Sequence, residues 1–315
     1  MGELLALLGG FFFSSSNLMA RQGMKTMERN GGQLVTLLMT NTVNIIALLI
    51  LVLLSALPQL TFWGLFYFGL AGVFTTFAGR FFLFASIERI GATRAGLFKV
   101  SAPMFTIFLG ITILGDRLTP TDFIGSAVVL SGLYILSASK DMKAPSANIG
   151  IVPAEVAKTR EKPFALDMGV IFGVLSGLSL SVGHILRQLG MRQIGSPIVG
   201  VAAGTVVSLL CIIIYMLIKN RGDFENITAS AKQALCFKKE CRGYLWCGFF
   251  NTLAQYLFFA SLLYTSVSIA NILISTEALF NLLLVALFFR SDEPLSPRLI
   301  FISLFILAGV VLVIL

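Results

Sequence analysis

Ten stretches of this chain are apolar over about the length, ~20 residues, that a helix needs to cross a bilayer. They fall near 4–20, 34–57, 61–87, 91–114, 122–139, 167–187, 197–218, 243–264, 266–289 and 298–315. No alternation of period two runs through them, so they read as helices and not as barrel strands. Charged residues make up 12% of the 315, against about 25% in soluble domains, and mean hydropathy is +0.92. Such a chain has too little polar surface to cover a core in water, which excludes an ordinary cytosolic enzyme. A hydrophobic content of 57% equally excludes disorder. The expected fold is an all-α membrane protein with ten transmembrane helices.

A polar, Pro-containing stretch divides the ten spans into five and five. Residues 1–139 form a first five-helix repeat, 140–166 a linker loop and 167–315 a second five-helix repeat. Four segments recur in the same order. Arg21-Gln22-Gly23-Met24-Lys25 recurs as Arg187-Gln188-Leu189-Gly190-Met191-Arg192, and Phe84-Ala85-Ser86 as Phe259-Ala260-Ser261. Gly115-Asp116-Arg117-Leu118-Thr119-Pro120 recurs as Ser291-Asp292-Glu293-Pro294-Leu295-Ser296-Pro297, and Gly132 as Gly309, with separations drifting only from 166 to 177. This is the signature of an internal duplication. Five is odd, so the copies enter the membrane from opposite sides and the halves are inverted repeats. That arrangement characterises secondary transporters, because each half can adopt the other's conformation.

The net charge of +8 would point to nucleic acid in a soluble protein. Here its distribution reports topology. The loops after spans one, three, five, seven and nine hold 3, 2, 5, 6 and 2 basic residues; those after spans two, four, six and eight hold 0, 1, 2 and 0. The positive-inside rule places the first set in the cytoplasm and both termini outside. In the second count Arg187 and Arg192 are taken as lying at the end of span six. Four cysteines are too few for a disulfide framework, and Cys236 and Cys241 lack a nearby His for a metal site. Met1-Gly2-Glu3 carries no basic segment of a signal peptide, so the first run is expected to persist as a span.

The stretch GATRAGLFKVSAPMFTIFLGITILGDRLTP at 91–120, with STEALFNLLLVALFFRSDEPLSP at 275–297, resembles the EamA-type branch of the drug/metabolite transporter superfamily. Pro103, Phe105, Gly115, Asp116, Leu118 and Thr119 match the family pattern in the first copy; Glu277, Phe280, Asp292, Leu295 and Ser296 match in the second. Ala278 stands where that pattern has Pro and Ser291 where it has Gly. The resemblance implies a central cavity lined by the first four spans of each half, with the fifth and tenth spans to the side. It implies export of amino acids and other metabolites, or movement of nucleotide sugars and sugar phosphates in related branches. Many members of the family have both termini in the cytoplasm, opposite to the charge count.

An ionisable residue at a helix centre costs about 2.5–3.5 kcal/mol on insertion scales, so each one requires a reason. Lys99 lies in span four, Glu277 in the middle of span nine and Arg80 in span three. The repeat equivalent of Glu277 is Ala102, which shares a helix face with Lys99. Lys99 and Glu277 therefore converge on one midplane region, either as two poles of a zwitterion site or as a salt bridge locking the halves. Arg80 suits an anionic group, or else snorkels to the interface or bonds a carbonyl of a neighbouring helix. His184, the one histidine, lies near the end of span six, either at headgroup level or as a proton relay, since histidine titrates near neutrality. Among neutral groups Asn17, Asn251, Gln255 and Asn271 are the preferred substrate contacts, since buried amides are costly to leave unpaired. Ser14, Ser15 and Ser16, the Thr40–Asn44 pair, and Ser268 and Ser275 fit helix packing. Phe81, Phe82 and Tyr256 are candidate apolar wall, and Asp116 and Asp292 are expected to anchor the helices that follow them.

No GxxxxGK[ST], HExxH or GxGD sequence is present, so neither a nucleotide-driven pump nor a familiar intramembrane enzyme is indicated. The chain is expected to be a non-enzymatic, multi-pass protein of the cell (cytoplasmic or inner) membrane that uses no cofactor and no metal. Its partners would be the lipid bilayer and a small-molecule substrate, an amino acid or similar zwitterion moved outward by alternating access. The alternatives are a nucleotide-sugar or sugar-phosphate carrier and, from other classes, an intramembrane enzyme or a sensor. Proton coupling through Glu277 and facilitated exchange both remain open.

Overall fold

The computed structural model describes residues 1–23, 29–90, 102–138, 168–219, 241–288 and 297–314. These form α1 (Gly2–Gly23), α2 (Arg29–Leu53), α3 (Phe62–Gly72), α4 (Gly79–Ile90), α5 (Ala102–Leu109), α6 (Pro120–Ala138), α7 (Met168–Ile194), α8 (Pro197–Lys219), α9 (Arg242–Ser261), α10 (Val267–Ser275), α11 (Glu277–Phe288) and α12 (Pro297–Ile314). A π-helical stretch, Val73–Ala78, joins α3 to α4, and a second, Gly110–Leu114, extends α5. There is no strand among the described residues. Five described stretches are long and apolar enough to cross a membrane: Gly2–Ala20, Leu34–Leu53, Phe62–Leu83, Met168–Ile194 and Pro197–Tyr215. With no water in hydrocarbon to satisfy backbone groups, helices that close their own hydrogen bonds are the natural solution.

Helix ends are written in the local sequence. Thr61 Oγ1 accepts from Gly64 N at 3.2 Å to start α3, and Ser266 Oγ accepts from Ile269 N at 3.3 Å to start α10. At α6, Thr119 N donates to Asp122 Oδ2 at 2.8 Å while Asp122 N donates to Thr119 Oγ1 at 3.2 Å, a reciprocal cap around Pro120. Gly115, at φ 69°, ends the second π stretch in the left-handed region that favours glycine.

Helix directions follow from what touches what. α1 runs antiparallel to α9: Gly2 lies against Tyr264 and Thr265, Gly9 against Ala254 and Phe258, and Gly23 against Tyr244. The α3–α4 stretch runs antiparallel to α7 in the same manner, with Gly190 on Phe68, Gly183 on Thr75 and Ser176 Oγ donating to Gly79 O at 2.8 Å. α6 and α12 form a third antiparallel pair through Gly125, Gly132 and Gly309. α2 runs parallel to α9, and α3 parallel to α8. α5 packs on α7 and α10. Most of these pairings therefore join residues 1–138 to residues 168–314, and the two portions interdigitate.

Glycine and serine make that interdigitation geometrically feasible. A Cβ on Gly243 would sit 2.6 Å from Gly23 N, and one on Gly125 would sit 2.8 Å from Val313 N, so backbone meets backbone there. The outer faces are apolar. Ile45, Ile46, Leu49 and Ile50 of α2, and Phe62 and Trp63 of α3, are exposed, as a lipid-facing surface requires.

One expectation is corrected here. α7 does not end near 187 but continues to Ile194, carrying Arg187 and Gln188 inside the packed bundle, each 8% exposed. The small residues Gly183 and Gly190, seated on α3 and the π stretch, hold this last part of α7 against its neighbours. His184 accordingly sits within the bundle, its ring edge-on to Phe258 at 5.1 Å between centroids, and not at the helix end.

The approach of α3 to α8 gives a direct test. A Cβ at Gly72 would overlap the Gly204 carbonyl oxygen, which is backbone and cannot turn aside, whereas one at Gly69 meets only Val207 Cγ2 at 3.2 Å. Gly72→Ala is expected to cost about 1–3 kcal/mol as overpacking and to lower the thermal midpoint in detergent. Gly69→Ala is expected to stay near wild type.

Candidate functional site

Polar groups inside the bundle gather in three places. The first joins α2, α8 and α9. Asn44 Nδ2 donates to Thr205 Oγ1 at 2.9 Å, Tyr256 OH donates to Asn44 Oδ1 at 2.5 Å, and Thr205 Oγ1 lies 3.3 Å from Asn41 Oδ1. Asn41, Asn44 and Thr205 are buried, so each partner satisfies a group that lipid could not. The second place joins α5, α7 and α10. Asn271 Nδ2 donates to Thr106 Oγ1 at 2.8 Å, and Ser181 Oγ donates to Ala102 O at 2.7 Å. Close by, Asp116 Oδ2 accepts from Ser268 Oγ at 2.8 Å and from Ser268 N at 3.4 Å, fastening the loop after α5 to the first turn of α10.

The third place is built around Arg187. Its Nη2 donates to Thr75 Oγ1 at 3.1 Å, and its guanidinium carbon lies 5.6 Å and 5.1 Å from the ring centres of Phe258 and Phe259. Phe68 lies against Phe259 with ring centres 5.8 Å apart and planes tilted by 54°, and Gln188 Nε2 donates to Leu262 O at 3.3 Å. Phe68 and Phe258 are wholly buried and Phe259 nearly so. A cation over aromatic faces gains electrostatic attraction that strengthens as water is excluded.

The expected site residues divide accordingly. Lys99 lies outside the described residues. Arg80 lies on α4, its side chain likewise outside them. Glu277 is the first residue of α11, immediately after Thr276 interrupts the helix between α10 and α11. α1 passes close by: a Cβ on Gly10 would lie 3.5 Å from Glu277 N and 3.2 Å from Ile274 O. Glu277 is thus not in the middle of an unbroken helix but at a joint. Asn17, Asn251 and Gln255 are half-buried, and no side-chain hydrogen bond to another described residue is found for any of them. Asn251 and Gln255 share one strip of α9, between the face turned to α1 (Cys247, Ala254, Phe258) and the face turned to α2 (Tyr244, Gly248, Tyr256). Asn271 is only 3% exposed, and its amide is engaged with Thr106.

Other expectations change in detail. Tyr256 is a hydrogen-bonding member of the first cluster more than an apolar wall. Phe82 stacks on Phe172, and Phe81 is exposed. Asp116 anchors α10 rather than the helix that follows it, which Asp122 caps instead. Ser16 Oγ donates to Cys247 O at 2.9 Å, which fits helix packing. Asp292 and Cys236 lie outside the described residues, and no group of metal ligands occurs among those described. Arg187 was missed because span six was ended at that residue. The recurrence of Arg-Gln in both halves was the available signal.

The Tyr256–Asn44 bond can be weighed by a double-mutant cycle. Tyr256→Phe and Asn44→Leu are expected to couple by about 0.6–1.7 kcal/mol, the range for hydrogen bonds between membrane helices. Unfolding in mixed micelles measures it, and additive effects would remove the bond from the account.

Comparison with known proteins completes the description. The profile of the EamA-like transporter family matches residues 1–138 and 167–315. No curated protein matches the sequence. Among solved structures, 29 chains match. One crystal structure, described only as that of a protein, superposes with a TM-score of 0.68 at 16% identity, covering 99% of this chain and 96% of the other. At that identity the likeness concerns the fold.

Proposed function

The chain belongs to the EamA-like transporter family, a family of multi-pass membrane proteins, and on that premise we propose that it is a secondary transporter working by alternating access. The proposed architecture is ten spans in two inverted five-helix repeats, 1–139 and 167–315, joined by the loop 140–166. The observation that carries this reading is the reciprocity of the helix packing. α1 on α9 has its counterpart in α7 on α3–α4, α1 on α10–α11 in α7 on α5, and α2 on α9 in α8 on α3. α2 with α8, α5 with α10, and α6 with α12 are their own counterparts. Exchange of the two halves' conformations would then produce a second state open to the opposite side.

The substrate reading is a small polar or zwitterionic solute, such as an amino acid, exported across the cell membrane. Lys99, Arg80 and Glu277 are the proposed charged contacts, and Asn17, Asn251 and Gln255 the neutral ones. The half-buried amides without described partners support the latter group. Asn271 belongs to the proposed set more weakly, since Thr106 already occupies its amide. With Arg187 inside the bundle, the basic residues favour one set of loops even more strongly, which supports both termini lying outside.

Counterflow in proteoliposomes against a panel of amino acids, sugar phosphates and nucleotide sugars tests the proposal. Flux of an amino acid that falls at least about tenfold in Lys99→Ala and Glu277→Ala, each removing one charged contact, is the expected outcome. If Glu277 carries a coupling proton, Glu277→Gln abolishes the pH-gradient dependence and leaves exchange intact. Absence of flux for every compound would overturn the transport reading.

A further inference from the structure

We propose that Arg187 holds the anionic group, a carboxylate or a phosphate, of the solute this protein carries. The inference rests on the transport reading above and names the charge its substrate must bear. A guanidinium has five N–H donors. The structure gives Arg187 one hydroxyl, Thr75 Oγ1 at 3.1 Å, and two ring faces, those of Phe258 and Phe259. A hydroxyl and two rings attract a cation but do not neutralise it. Among the described residues no carboxylate lies within ion-pair distance of Arg187; the ion pair found there joins the Met1 amino group to Glu3. An enclosed charge is costly and needs a partner, and inside membranes such residues occur along substrate and ion pathways.

Two details make that partner a solute. Among the described residues, Arg187 makes one side-chain hydrogen bond, to Thr75 Oγ1. Arg187 keeps 8% of its surface exposed, so it is not wholly sealed off by its neighbours. The strip of α9 that carries Asn251 and Gln255 also continues one turn further to Phe259, the ring that Arg187 covers at 5.1 Å. A solute lying along that strip would have amides along its length and the guanidinium at one end. The planar fork of Arg matches carboxylate and phosphate oxygens in pairs, which a lysine could not do.

The test uses the full chain in detergent and reads its thermal midpoint. Sodium benzoate and inorganic phosphate are the probes; benzamide and sodium chloride at equal ionic strength are the controls. The wild type is expected to gain stability with rising benzoate or phosphate beyond either control, and the responding probe distinguishes carboxylate from phosphate. Arg187→Met is expected to abolish the response, and Arg187→Lys to weaken it by about tenfold or more. A wild-type response no greater than the controls overturns the inference, as does one that persists in Arg187→Met. If Arg187→Met does not fold, wild-type affinity in Arg187→Lys overturns it equally. Counterflow separates the two readings. Flux without anion-dependent stabilisation removes Arg187 alone, and anion binding without flux of any solute removes transport alone.

Discussion

Backbone meeting backbone at glycine is the contact on which the rest of this bundle depends. Between helices in lipid there is little hydrophobic drive, because lipid tails are as apolar as leucine. Association therefore relies on dispersion over surfaces that approach closely, and on hydrogen bonds that only close approach permits. Gly23 against Gly243, Gly72 against Gly204 and Gly125 against Gly309 supply the first. Ser16 to the Cys247 carbonyl, Ser176 to the Gly79 carbonyl and Ser86 to the Gly169 carbonyl supply the second. Each of those hydroxyls reaches a backbone oxygen of a helix from the other half, and it can do so because no larger side chain stands between.

The same seams decide where polarity can be tolerated. Asn41, Asn44, Thr205 and Tyr256 close a network whose cost of burial is offset group by group. Thr106 and Asn271 do likewise across α5 and α10. Packing of this kind fixes helices relative to one another and leaves little capacity to bind anything else. Asn17, Asn251, Gln255 and Arg187 differ because their hydrogen-bonding capacity is not consumed by described neighbours. Hydrophobicity alone does not separate the two groups. All are polar residues in apolar runs, and only geometry tells a spent amide from an available one.

That distinction sets the limit of what could be read from the sequence. Long apolar runs announced the helices, because such runs are one-dimensional patterns. Asn251 and Gln255 were legible as neighbours from their spacing of four. Asn271 was not legible as a packing residue, because Thr106 is 165 positions away. Arg187 was set at a helix end because its charge interrupted the apolar run, although Gly190 and its seat on Phe68 carry the helix further. The joint at Thr276 gave no signal either. Its backbone N–H bonds Leu273 O at 3.2 Å, three residues back, and its hydroxyl bonds the same oxygen at 2.6 Å, an arrangement of one residue and not of a motif.

The π stretch Val73–Ala78 bears on the proposed repeat. Gly72-Val73-Phe74-Thr75-Thr76 resembles Gly248-Phe249-Phe250-Asn251-Thr252 at a separation of 176, whereas Phe84 and Phe259 stand 175 apart. On the proposed repeat, the first half carries one extra residue between these positions, and a single inserted residue is what a π turn accommodates without ending a helix. α9, the counterpart without the extra residue, is regular from Arg242 to Ser261. The extra residue is absorbed where the helix must still deliver Ser86 Oγ to Gly169 O at 2.7 Å at its far end. It also separates the two halves chemically. By the spacing of 176, Asn251 corresponds to Thr75, and the latter is already bonded to Arg187. On the proposed transport reading, two halves related by a repeat would present unlike side chains to one path, and a symmetric motion would act on an asymmetric solute.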